Sequence, residues 1–131
     1  MTPQSAKAKG RKFQNFIRDL MLSRAPNLKP DDIRSTSMGV SGPDIQLSTA
    51  AKIVYPWAVE AKCQERLNLW KSWDQTKAHV DPDDPYLVPL LFVKKNRSDI
   101  LVVMDINDFW SMRFQQGNDM THIDFTTEEE E

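Results

Sequence analysis

The longest uncharged apolar run in the chain, Tyr86 to Val93, is eight residues long. That is the length of one strand, and far short of the ~20 residues a helix needs to cross a bilayer. A second apolar run, Ile100 to Met104, follows the charged turn Lys94 to Asp99, so the two are predicted as neighbouring strands. Phe13, Phe16, Ile17 and Leu20 recur at helical spacing and predict an amphipathic helix from about Gly10 to Arg24, ended by Pro26 and Pro30. Asp31 to Ser37 reads as a short strand or turn, Gly39 to Pro43 as a loop, and Asp44 to Leu47 as a short alternating strand. Lys52 to Cys63 is β-prone although Pro56 breaks it early, which leaves Thr49 to Ala51 as a hairpin tip. Gln64 to about His79 is predicted as a second helix, with Leu67, Trp70 and Trp73 three apart and Leu69 widening the stripe. Asp105 or Asn107 can cap a last short helix through Phe109, Trp110 and Met112. This order predicts an α/β domain, a mixed central β-sheet flanked by helices.

The 131 residues make one domain, expected over residues 1–125. A chain of this length buries about two-thirds of its unfolded surface, so it folds without disulfide or metal staples. Its single cysteine, Cys63, excludes an internal disulfide and a four-cysteine zinc site. The N-terminus carries no apolar signal region, and the expectation is a soluble, cytoplasmic protein.

Charge is divided along the chain. Residues 1–98 hold sixteen Lys and Arg against ten acids, a surplus of +6, whereas residues 99–131 hold Arg113 against nine acids, a balance of −8. Lys7, Lys9, Arg11 and Lys12 precede the first acid, Asp19, and residues 1–12 read as a basic arm suited to phosphates. Residues 126–131 end in four glutamates and are expected to be a disordered acidic tail.

Three polar residues interrupt strand-like apolar context. Glu60 and Lys62 stand two apart in Trp57 to Cys63, so on a strand they project from one face while Val59, Ala61 and Cys63 take the other. Asp44 opens a strand directly after Gly42-Pro43, and if that strand pairs with the Glu60 strand, its carboxylate reaches the same site. Two carboxylates and a backbone carbonyl form a hard oxygen set suited to Mg²⁺ or Mn²⁺. A lysine beside them can hold a phosphate oxygen or deprotonate a water, and these are the parts that phosphodiester hydrolysis needs.

Other chemistries find less support. His79 and His122 are isolated and have no cysteine at ligand spacing. Gly-x-Ser-x-Gly is absent, so Ser41 is expected to donate to a phosphate or to Asp44 rather than to act as a nucleophile. No dinucleotide-binding or Walker-type glycine loop occurs. Asp81, Asp83 and Asp84 lack the glycine and distal glutamate of a calcium loop.

Ser41-Gly42-Pro43-Asp44, followed after fifteen residues by Glu60-Ala61-Lys62, resembles the PD-(D/E)xK nuclease superfamily. The phrase Gly39 to Ile45 is similar to that of small phage and archaeal-type Holliday junction resolvases, and the resemblance covers most of residues 10 to 110. It implies a restriction-endonuclease-like core and a metal-dependent DNA endonuclease of recombination and repair, in a host's cytoplasm if phage-encoded. Asp44, Glu60 and the carbonyl of Ala61 would then be ligands of Mg²⁺, with Mn²⁺ able to substitute, and Lys62 would be the catalytic lysine. Relatives carry a Gln facing the site on the helix after the lysine strand, which Gln75 matches. Many also carry a Glu on the first helix. The chain has no Glu before Glu60, so the candidates there are Gln14 and Asp19, a neutral Gln14 orienting a water rather than adding charge. Two symmetric cuts in branched DNA imply a homodimer. Rival expectations are a nuclease acting on forks, flaps or duplex, and a non-catalytic nucleic-acid-binding module on the same fold.

Overall fold

A computed structural model of the chain describes residues 2–37 and 39–113. The acidic tail and His122 lie outside the described residues.

The first helix, α1, spans Pro3–Ser23. Thr2 caps it, its hydroxyl accepting from the Ser5 amide at 3.1 Å, and Pro3 takes the first turn, where no amide is needed. It starts a full seven residues before the predicted Gly10, because the cap signal lies well ahead of the first apolar residue. Lys7, Lys9, Arg11 and Lys12 therefore sit on helix. Only Phe13, Ile17 and Met21, four apart, are buried, while Phe16 and Leu20 flank the contact line half-exposed.

A 3-10 turn at Pro30–Asp32 leads into β1 (Ile33–Ser35), which pairs antiparallel with β2 (Ile45–Leu47). Next comes a helix, α2 (Thr49–Val54), where a hairpin tip and strand were expected. The Ser48 hydroxyl accepts from the Ala51 amide at 3.1 Å and donates to Asp32 Oδ1 at 2.7 Å. That cap overrides the β preference of Ile53 and Val54, which point outward.

The main sheet has the order β3–β4–β5. β3 (Trp57–Cys63) runs parallel to β4 (Val88–Lys94), and α3 (Leu69–Ala78) forms the crossover. β5 (Leu101–Val103) returns antiparallel to β4, so the sheet is mixed as expected. α4 (Ile106–Arg113) closes the described chain, and Asp105 Oδ1 accepts from the Asn107 amide at 2.8 Å, as its predicted cap. α3 begins at Leu69 rather than Gln64, with Asn68 as cap.

Two cores sandwich the sheet. On one face Val59, Ala61 and Phe92 pack with the α1 residues Phe13 and Ile17, and with Ile33 and Ile45 of the hairpin. On the other, Leu91 and Val93 pack against Trp73 of α3. Trp70, expected in that stripe, is 74% exposed, because α3 turns Ser72, Trp73 and Thr76 inward instead. Among the described residues no helix is long and apolar enough to cross a membrane.

Candidate active site

The site forms where the β1–β2 hairpin meets the middle of β3. Gly39 and Gly42 turn the preceding loop with φ of 83° and 107°, backbone that a residue with a Cβ adopts only under strain. Behind them Asp44 is held on every side. Its amide donates to the Val59 carbonyl at 2.9 Å, joining the hairpin to the main sheet. Its own carbonyl accepts from the Thr36 amide at 2.8 Å and from Gln14 Nε2 at 2.9 Å. Its carboxylate Oδ2 accepts from the Ala61 amide at 2.8 Å.

Ala61 is the residue after Glu60, so this last bond sets the Asp44 carboxylate beside the Glu60 side chain. The amide and carbonyl of one strand residue point to the same edge. With its amide on Asp44, Ala61 therefore presents its carbonyl to the Asp44 side and not to β4. Asp44 thus lies along the edge of β3 to which the Ala61 carbonyl points, with the Glu60 side chain beside its carboxylate.

Glu60 is 2% exposed, on the sheet face covered by α3. Burial first, and then the Asp44 carboxylate through a hydrogen bond and its charge, push the Glu60 carboxyl from 4.5 up to about 9, while Lys62 opposes the rise. At neutral pH the acid is protonated. Lys62, two residues on, shares its face, is half-buried and has no salt-bridge partner among the described residues.

The sequence reading missed one member of this group. His79, at the C-terminal cap of α3, places Nδ1 against Glu60 Oε1. The available signal was a polar line on α3, since Ser72, Thr76 and His79 fall at i, i+4 and i+7. Ser72 and Thr76 are buried, and Thr76 satisfies its hydroxyl on the Ser72 carbonyl at 2.8 Å.

The remaining predicted residues divide. Gln14 reaches the site but spends its amide nitrogen on the Thr36 and Asp44 carbonyls, both at 2.9 Å, so it clamps backbone. Gln75 is exposed, one helical turn before His79, and its side chain makes no hydrogen bond among the described residues. Ser41 is exposed and lines a cleft of about 480 Å³ together with Pro43, His79, Asp81 and the Lys52–Asp84 ion pair, which closes at 2.5 Å. Ser41 does not bond to Asp44 in this arrangement; the Asp44 carboxylate takes the Ala61 amide.

The donor chemistry fits one hard divalent cation. The Asp44 and Glu60 carboxyl groups face each other, and burial first, then the Asp44 carboxylate, keeps Glu60 protonated. Among the described residues no cluster of three or more His, Cys, Asp or Glu side chains is arranged to hold a metal. Comparison of the chain with protein-family models, with curated proteins and with solved structures finds no match.

Proposed function

We propose that the chain is a metal-dependent DNA endonuclease with a restriction-endonuclease-like core, most like a Holliday junction resolvase, working as a homodimer with Mg²⁺ or Mn²⁺. The observation that carries this reading is the bond from the Ala61 amide to Asp44 Oδ2, which brings the Pro-Asp loop to the Glu-x-Lys strand across seventeen residues of sequence. The element order supports it, with a helix, a hairpin bearing the aspartate, the Glu60 strand, a helix and a parallel strand.

Asp44, Glu60 and the Ala61 carbonyl would hold the cation. When bound, it supplies Lewis-acid stabilisation of charge on a phosphate and lowers the pKa of a water. Glu60 must lose its proton to serve as a ligand, and His79 Nδ1, already on Glu60 Oε1, is placed to take it up. Lys62 projects beside Glu60, and its ammonium, without an ion-pair partner among the described residues, can bind a non-bridging phosphate oxygen or orient the attacking water. Gln14 holds the Asp44 backbone so that its carboxylate does not swing away.

The test gives the purified protein, with Mg²⁺, a labelled four-way junction, a fork, a flap and linear duplex in parallel. Preference for the junction with paired symmetric nicks supports a resolvase. Equal cutting of all four assigns a general nuclease, and binding without cutting assigns a non-catalytic module.

A further inference from the structure

We propose that the β4–β5 turn, Lys94 to Arg97, and the first turns of α1 form one surface that holds the sugar-phosphate backbone of DNA beside the candidate site. The choice of DNA as the polyanion rests on the nuclease reading; the surface itself rests on three observations.

The first is convergence. Lys9 and Lys12 lie some eighty residues from the turn in sequence, yet they line one cavity of about 270 Å³ with Lys94 and Asn96. The Lys9 ammonium donates to Asn96 Oδ1. Lys95 and Arg97 stand exposed beyond them. Three cations thus share one cavity with two more exposed on the same turn, and among the described residues Glu65 and Asp99 adjoin the turn with opposite charge. Glu65 is engaged, its Oε2 accepting from the Asn96 amide at 2.6 Å.

The second is preorganisation. The turn is fixed by its own bonds, the Ser98 hydroxyl accepting from the Lys95 amide at 3.0 Å and donating to the Lys95 carbonyl at 3.1 Å. Glu65 and Lys9 hold Asn96 from two further sides. A fixed turn loses little freedom on binding, which favours contact with an extended ligand.

The third is backbone strain. Arg97 adopts φ of 58°, the only positive value among the described residues that are not glycine. Glycine or asparagine takes up this conformation at less cost. A long cationic side chain kept at such a position points to use of the side chain rather than to the needs of the turn.

Position ties the surface to the site. Cys63 pairs with Lys94 across the sheet, and three residues of β3, about 10 Å, separate it from Glu60. One DNA strand carries a phosphate about every 3.4 Å of helix axis, so a backbone held at the turn, on the α1 side, passes round the C-terminal end of β3 to Glu60 and Lys62 on the α3 side over more than about three nucleotides.

The test measures binding of the full chain to a labelled four-way junction and to duplex in EDTA, as affinity against salt concentration. Arg97→Gly should leave the melting temperature unchanged or higher while weakening binding and reducing the slope of log affinity against log salt by roughly one unit. Lys95→Ala with Arg97→Ala should reduce it by roughly two. Unchanged slopes, or no DNA binding by the wild-type chain, overturn the proposal. Cleavage by the wild type with unchanged slopes in the variants removes this surface and leaves the nuclease reading standing. Turn-dependent binding without Mg²⁺-dependent cleavage does the reverse.

Discussion

Replacing Glu60 by Gln should stabilise the metal-free protein at alkaline pH. Glu60 is 2% exposed, and burial with the adjoining Asp44 carboxylate raises its carboxyl from 4.5 to about 9. The folded chain therefore keeps a proton that the unfolded chain has released. The stability tied to that proton is fully present below about pH 4.5 and is lost progressively as the pH rises to about 9. The upper part of this range, from about pH 7 to about pH 9, lies clear of ordinary carboxyl titrations near ~4. Linkage of ~1.4 kcal/mol per pH unit gives at most about 3 kcal/mol over that interval. Relaxation around the ionised acid and entry of water reduce the expected loss to about 1–2 kcal/mol. E60Q keeps the shape and the hydrogen-bonding capacity but has no proton to lose. Urea unfolding in EDTA, run on both proteins across the interval, isolates the difference because all other groups cancel. Wild-type stability should fall relative to E60Q as pH rises. Parallel curves would refute a protonated, buried Glu60.

Asp44→Asn should abolish cleavage with the fold intact, whereas Asp44→Ala should also lose about 1–3 kcal/mol in urea unfolding, because the Ala61 amide is left without its partner. Gln14→Ala removes a donor from two carbonyls and should cost about 1 kcal/mol or more, with cleavage slowed through displacement of Asp44 rather than through lost chemistry. Conversely, Gln75→Ala should leave thermal stability within about 0.5 kcal/mol of wild type, since the side chain is exposed; a normal cleavage rate for that variant would remove Gln75 from the site. Leu91→Ala, at a fully buried position in the central strand, should cost about 2–5 kcal/mol by chemical denaturation.

What the sequence could reveal depended on how local the determining physics was. Glu60 and Lys62 share a face because strand geometry makes it so, and the paired apolar runs around Lys94 to Asp99 become a hairpin for the same reason. Asp44 was legible through the Gly-Pro turn before it, although its reach to β3 passes through an unforeseen helix, α2. That helix was hidden because Ile53 and Val54 carry β preference, while Ser48, one small residue, supplies the cap that decides the matter. Trp70 was misplaced because helical spacing defines a stripe but not which edge of it meets the sheet. His79 shows the larger limit. It meets Glu60 only through the packing of α3 on β3, nineteen residues away, and nothing in its immediate neighbours signals a partner. Gln14 packs beside Asp44 and bonds backbone carbonyls, and whether an amide faces a carbonyl or a water is set by the loop it packs against.

The central claim is that Asp44, Glu60 and Lys62 form one hydrolytic site. Its most direct test is single-turnover cleavage of a labelled four-way junction with Mg²⁺, by the wild-type chain and by Lys62→Ala, after showing that both bind the junction equally in EDTA. The account predicts Mg²⁺-dependent cutting by the wild type and its loss in the variant. Equal cutting by the two proteins, or cutting by neither, would contradict it.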